Sequence, residues 1–413
     1  MTEESTAGGA PAAISVPPLD CGLQNGPIRG EIDAAIARVC DSGRFIHGPE
    51  CQQFEAAIAN YCGVPHAIGC ASGSDALLLA LMALGVGDGD EVILPSFTFF
   101  ATAGAVWRLG ARPVFVDIEP WSFNVDPGCV ERAVTPATRA IIPVHLFGRC
   151  ADMGAILAIA RAHKIDVIED AAQAIGAECG GRRAGSMGRL GCLSFYPTKN
   201  LGGFGDGGMV TTHDGDLAGQ LRILRDHGQQ PRYHHSVVGI NSRLDSVQAA
   251  VLTVKLSQLD AWTRQRTESA ERYARLFAEA GLAQVVGLPA IRGADRVVWN
   301  QYTIRVADTD RDALVEHLAS NKISAAVYYP VPLHLQRCFE SLGFGKNSLP
   351  ATERAAREVL SLPIFPGLTA RQQQAVVGQV AAFYARKKGP TRPVIKRPKM
   401  LDHGRVAGRT ATE

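Results

Sequence analysis

Net charge is nearly absent from this chain of 413 residues, because 42 Lys and Arg stand against 40 Asp and Glu and leave a formal charge of +2. So small an imbalance creates no global field to hold a nucleic acid or an anionic membrane, and neither partner is expected. Long apolar runs are absent too: the longest candidate, residues 76–86, is about half of the roughly 18 to 20 residues that a membrane helix needs. Ten cysteines are scattered from Cys21 to Cys338 without a Cys-x-x-Cys pair. That spacing supports neither a zinc ribbon nor a disulfide framework, so no metal is expected, and Cys70, Cys179 and Cys192 read as buried reduced thiols. The first residues lack the basic-then-apolar layout of a signal peptide, which makes a cytoplasmic protein the expectation. Apolar residues are plentiful, at 46%. That is enough for two or three domain-sized cores and excludes disorder of the whole chain.

The two ends stand apart. Residues 1–17 are rich in Ala, Gly, Ser and Pro, and residues 386–413 carry nine Lys or Arg against two acids without apolar periodicity. Both are expected to be disordered tails. Between them, strand-like runs at 66–71, 91–94, 113–116, 140–144, 166–170, 191–196 and 208–212 alternate with helix-period segments at 74–84, 101–109 and 153–163, and a short helix is expected after Asp170. Such alternation describes an α/β fold around a mostly parallel sheet. One long helix is expected over 245–280, where apolar residues recur every three or four positions. Runs at 297–305 and 324–329 and helices at 308–321 and 370–385 suggest a smaller α+β lobe. The expected division is a large domain over 18–260 and a small C-terminal domain over 261–385.

Three segments carry chemistry. In SGSDALLLAL a strand ends, Ser72 to Asp75 turn, and an apolar helix begins. Free backbone N–H groups and the helix dipole suit a phosphate or carboxylate, with Gly73 allowing close approach and the Ser74 hydroxyl adding a hydrogen bond, although Ser72 or Ser74 would serve as a plain helix cap. In IDVIEDAAQAIGA a buried strand ends at Glu169 and Asp170, with Gln173 one turn on. A carboxylate at the carboxyl end of a parallel strand can fix a cationic ring nitrogen, or it can cap a helix. In LSFYPTKNLGGFGDGGMV a single lysine, Lys199, precedes five glycines within seven residues. A bent loop there can desolvate the amine, lower its pKa and make it a nucleophile towards a carbonyl, whereas a flexible loop would leave a surface lysine. Together the segments offer a phosphate seat, a carboxylate for a ring nitrogen and a carbonyl-reactive amine, the set that pyridoxal 5'-phosphate requires.

Their order resembles that of a fold type I aminotransferase and, more narrowly, of the DegT/DnrJ/StrS family of sugar aminotransferases. The resemblance spans about residues 20–380 and rests on ordered fragments such as GDGDEVILPSFTFFATAGAV, HLFGRCADM, EDAAQAIGAE, SFYPTKNLGGFGDGG, GINSRLDSVQAAVL and YYPVPLHLQ. It implies that Lys199 bonds the cofactor aldehyde, Asp170 pairs with the pyridinium nitrogen, Gln173 contacts the phenolic oxygen and Phe99 stacks on the ring. It further implies a phosphate seat of Gly73, Ser74, Asp75 and Ser194, with Asn241 arriving from a second subunit of a homodimer. Arg243, Tyr329 and His334 fall in segments that similar proteins use around a nucleotide-linked keto sugar, although His334 also suits a structural hydrogen bond. Ser74 stands where threonine is common and Asp206 where glutamate is common, and neither change removes a needed group. One subgroup has histidine in place of the lysine and performs dehydration, so Lys199 implies transamination, with L-glutamate as the implied donor and a ketone at C3 favoured over C4. Two rivals remain open from the residues. A Rossmann-type sugar-nucleotide oxidoreductase would share the strand alternation but needs a Gly-x-Gly-x-x-Gly turn that this chain lacks after its first strand. A non-catalytic sensor would keep the fold and bind a partner through the basic tail.

Overall fold

A computed structural model describes residues 14–289 and 296–387. The basic C-terminal tail lies almost wholly outside them. Seven strands build the central sheet: β1 (His66–Cys70), β2 (Glu91–Pro95), β3 (Arg112–Val116), β4 (Thr138–Ile141), β5 (Asp166–Asp170), β6 (Leu190–Ser194) and β7 (Gly208–Thr212), in the spatial order β1-β7-β6-β5-β4-β2-β3. Only β7 runs against its neighbours. The other six therefore end at one edge of the sheet, where a parallel sheet gathers its ligands.

The strands read as nearly unbroken apolar runs because both faces are covered. Side chains alternate between two cores: Ile141 and Val167 join Phe54, Ile58, Met153 and Leu252 on one face, while Ile142 and Ile168 join Leu77, Leu81, Leu94 and Leu221 on the other. The first face is covered by α2 (Pro49–Cys62), which follows α1 (Arg29–Ser42). The second face carries α3 (Gly73–Ala83) and α4 (Ala101–Arg108). Helix α5 (Met153–His163) returns to the first face and α6 (Gly215–Leu224) to the second.

The single helix expected over 245–280 is two helices, α7 (Ser246–Leu256) and α8 (Leu259–Glu279). At the break, Ser257 Oγ donates to Val254 O at 2.7 Å. That bond diverts the helical ladder, and it lets α7 serve the first core through Leu252 while α8 serves another through Tyr273 and Phe277. This further core also holds Trp299, β8 (Tyr302–Arg305), α9 (Asp308–Ser320), β9 (Val359–Leu362) and α11 (Ala370–Arg386), with β8 antiparallel to β9, whereas α10 (Pro350–Glu358) packs through Ala355 and Ala356 on Phe97, Phe123 and Phe147. The strand expected at 324–329 reduces to one bridge between Ala326 and Ser361, and its place beside β8 is taken by β9. Order also begins earlier than composition suggests: Val16 is fully buried and pairs with Ile323. No helix among the described residues is long and apolar enough to cross a membrane.

The ten cysteines all lie among the described residues and form no disulfides. Burial pushes the Cys62 thiol up to about 12 and Cys192 well above its ordinary value, so these thiols are inert. Cys179 is half-exposed on a short hairpin strand, contrary to the buried position expected for it.

Candidate active site

The strand ends bring the three chemical segments together. After β1, Ser72 caps α3 by accepting from Asp75 N at 3.1 Å. The first two N–H groups of the helix, at Gly73 and Ser74, have no intrahelical acceptor, as at any helix start. Asp75 is held differently from the expectation: its N–H is spent on Ser72, and its carboxylate accepts from Ser242 Oγ at 2.7 Å. It anchors the Asn241 segment to the start of α3. A Cβ on Gly73 would lie 2.6 Å from Ser194 Cβ, which shows how closely the end of β6 approaches this turn. Gly208 is pressed against the same turn, since a Cβ there would meet Ser72 O at 2.2 Å.

At the end of β5, Glu169 and Asp170 point to opposite faces, as alternation demands. Asp170 is 5% exposed; its Oδ2 accepts from Thr102 Oγ1 at 2.8 Å and its Oδ1 from Ala172 N at 3.2 Å. Burial raises its carboxyl pKa, against the lowering effects of Thr102, the Ala172 N–H and Lys199. No helix follows, for residues 171–176 form turns. Gln173 therefore takes its place from a turn, where its Oε1 accepts from Phe147 N at 2.8 Å and its Nε2 faces Tyr329 Oη at 3.4 Å. Glu169 is buried on the far side, accepting from Gly185 N, Met187 N and Gly188 N at 2.6 to 2.9 Å and from His145 Nε2 at 2.8 Å. Ala151 N donates to His145 Nδ1 at 3.1 Å, so the ring is a neutral donor through Nε2. These contacts brace the strand end that carries Asp170.

Lys199 follows β6 in a packed turn, its N–H bonded to Tyr196 O at 2.8 Å. A Cβ on Gly202 would meet Pro197 O at 2.3 Å, so the glycine run folds back onto the lysine turn and is no flexible surface loop. Burial lowers the Lys199 amine from 10.5 to about 8, with Asp170 pulling in the opposite direction. Phe99 lies 6.3 Å from Tyr329, ring centre to ring centre, and is 58% exposed, an aromatic face open to a planar ligand.

Comparison with known proteins matches residues 27–381 to the DegT/DnrJ/EryC1/StrS aminotransferase family. The chain belongs to this family. The aminotransferase is 52% identical to a pleiotropic regulatory protein of Geobacillus stearothermophilus, over 90% of this chain and 99% of that one. It is 47% identical to a dTDP-3-amino-3,4,6-trideoxy-alpha-D-glucose transaminase of Streptomyces venezuelae, covering 90% and 97%. It is also 45% identical to a UDP-N-acetyl-3-dehydro-alpha-D-glucosamine 3-aminotransferase of Acidithiobacillus ferrooxidans, covering 87% and 95%. Among solved structures, S. venezuelae DesV in complex with a ketimine intermediate superposes with a TM-score of 0.87 at 45% identity, covering 91% of this chain and all of that one. The Bacillus subtilis protein NtdA, solved with bound cofactor PMP, gives 0.84 at 32% identity, covering 90% and 86%. The aminotransferase is thus a fold type I, pyridoxal-phosphate-dependent enzyme.

Its residues fit that cofactor. Free N–H groups and a serine hydroxyl meet at one turn, a buried carboxylate awaits a cation, an amine is desolvated, and an aromatic face is open. Two of the residues carried over for the sugar nucleotide are placed plainly. Tyr329 stands beside Gln173 and Phe99. His334 is 1% exposed, its Nδ1 on Ser96 Oγ at 2.7 Å and its Nε2 on Glu353 at 3.4 Å, so the ring is taken up inside the protein. Asn241 is exposed, and Arg243 on the same surface bonds Asp226 at 3.0 Å. The sequence names Glu169 only as a strand-end carboxylate beside Asp170 and gives no role to Thr102 or His145. The one signal for Thr102 was its place a helical turn beyond Phe99.

Proposed function

We propose that this aminotransferase moves an amino group from L-glutamate to a nucleotide-linked keto sugar, with the ketone at C3, and acts as a cytoplasmic homodimer. The observation that carries this reading is the pairing of a desolvated Lys199 amine with a buried Asp170 carboxylate at adjacent strand ends. The names of the Streptomyces and Acidithiobacillus relatives, both placing nitrogen at C3, support the sugar class and the position.

When bound, pyridoxal phosphate supplies the electron sink that allows the Cα–H of an amino donor to ionise. Lys199 Nζ is the base that moves this proton, and its lowered pKa keeps part of the amine unprotonated near neutral pH. Asp170 is the anion that holds a ring nitrogen protonated, and Thr102 keeps its carboxylate turned to that task. The N–H groups of Gly73 and Ser74 and the Ser194 hydroxyl receive the phosphate, and Gln173 and Phe99 orient the ring. Asn241 completes the phosphate seat of a second copy, while Tyr329 and Arg243 border the sugar nucleotide.

Apolar exposure near Asn241 supports the dimer: Phe45, Ile46 and Val238 are 48%, 46% and 91% exposed, and such a patch on a soluble surface marks an interface. We also place the division between the two lobes at residues 260 and 261, early in α8. Mass spectrometry of products from L-glutamate and a panel of nucleotide-linked 3-keto and 4-keto sugars tests the activity. Amination of the 3-keto members is the expected result, and no turnover with any member overturns it. The related regulatory protein makes a sensor the alternative; tight DNA binding without turnover in both full-length protein and a chain ending at residue 385 would favour it.

Shared sites predict complementation. Lys199→Ala and Asn241→Ala subunits should each be poorly active alone. Refolded together in equal amounts, they should recover up to about a quarter of wild-type activity, since half the dimers then hold one intact site. Absence of recovery would place Asn241 outside the partner's site.

A further inference from the structure

We propose that Asn200 and Asn300 form a positioning pair that ties Lys199 and Gln173 to one strip of backbone, residues 298–300, and so sets the spacing between them. The proposal rests on the reading of Lys199 as the cofactor-bonding lysine. The strip is reached from both sides. From Gln173, Oε1 accepts from Phe147 N at 2.8 Å, and Phe147 O accepts from Asn300 N at 3.1 Å. From Lys199, the next residue is Asn200, whose Oδ1 accepts from Asn300 Nδ2 at 2.9 Å and whose Nδ2 donates to Val298 O at 2.7 Å. Val298 N donates to Gly148 O at 2.9 Å and closes the ring.

The strip is itself immobilised. Gly148 sits at φ +90, and a Cβ there would meet Asn300 N at 2.8 Å, so the turn at 147–148 approaches the strip as closely as backbone allows. Arg266, 2% exposed, donates to Trp299 O at 3.1 Å and Ile364 O at 2.8 Å, which pins the strip to α8 and to the segment after β9. Asn200 and Asn300 are 3% and 8% exposed, and Asn300 Oδ1 is buried without a donor among the described residues. A buried acceptor left unpaired costs stability. What the asparagine supplies in return is its Nδ2, which holds Asn200. A lysine side chain is long and flexible, so the position of its amine depends on a fixed backbone, and misplacement by about 1 Å can lower a rate 100-fold.

The test uses full-length Asn300→Ala, Asn300→Ser, Asn200→Ser and the Asn200→Ser/Asn300→Ser double variant. In cofactor-free protein, acetic anhydride labelling of Lys199 is followed by mass spectrometry against pH. Wild type should be half-labelled near pH 8, and the variants about one unit higher as the amine gains water. In loaded enzyme, kcat should fall about 10- to 100-fold while KM for the amino donor stays within about threefold. The double variant should lose no more than the weaker single, as members of one unit do. Folded serine variants with an unchanged labelling pH and kcat within about twofold of wild type would overturn the proposal. Failure of both serine variants to fold would assign the pair to stability alone and also overturn it. Labelling needs no cofactor, so a wild-type protein that takes up no pyridoxal phosphate would refute the role of Lys199 without deciding this result.

Discussion

Lys199→Ala is expected to abolish the visible absorption that pyridoxal phosphate acquires on bonding to the wild-type protein, and to lower turnover by at least about 1,000-fold. The amine has two tasks in the proposed function, bonding the cofactor aldehyde and moving the donor proton, and no other described lysine lies in this turn. Free cofactor should still bind, because Gly73, Ser74 and Ser194 are untouched. Absorption spectra and turnover of the variant decide the matter, and retention of either the band or the activity would remove Lys199 from the site.

The same variant carries a stability prediction with a definite sign. The folded amine has a pKa of about 8 against an ordinary 10.5. Between those values the unfolded chain binds a proton that the native chain does not, so the contribution of this lysine to stability rises with pH across that window. Below pH 8 its destabilising effect is fully present. Cofactor-free Lys199→Ala should therefore unfold at the same temperature as wild type or higher at pH 7, with the difference shrinking towards pH 10.5. A variant less stable than wild type at pH 7 would contradict the desolvated placement of the amine.

Asp170→Asn should lower kcat by about 100- to 10,000-fold and weaken cofactor binding by about 10- to 100-fold, the loss of a charge-assisted hydrogen bond to a buried cation. The substitution keeps the size of the side chain and an oxygen for Thr102 Oγ1, so the charge is what is tested. A second consequence appears without cofactor. Asp170 raises the Lys199 pKa, so its neutralisation should move half-labelling of Lys199 below pH 8. Titration of the variant checks this. An unchanged value would mean that the two groups do not sense each other, and near-normal kcat would assign Asp170 to holding the turn after β5 through Thr102 and Ala172 N.

Lys199, Asp170 and the Ser72 turn could be singled out as candidates in the chain because each lies just after or at the end of a short apolar strand, where a local turn must follow. Each segment by itself also suited a plain cap or a surface lysine, and only the tertiary structure shows the lysine turn packed and the carboxylate buried. Thr102 was not legible, since its bond to Asp170 spans 68 residues and nothing near Thr102 distinguishes it from any helical threonine. Nor was the partner of the Asp75 side chain legible: the local pattern puts Asp75 in the turn after β1, and only the tertiary structure brings Ser242, 167 residues away, onto its carboxylate.

Local sequence alone determined the α/β alternation, the parallel character of the sheet and the three chemical segments, because strand and helix periods and turn residues act over a few positions. The tertiary structure alone decided which face each carboxylate of the Glu169-Asp170 pair serves, where the helix over 245–280 breaks, that β9 and not 324–329 pairs with β8, and that Asn300 reaches Asn200. Each of these outcomes depends on hydrogen bonds or packing between residues far apart in the chain, whose partners are chosen by how the sheet and its helices close around a common core.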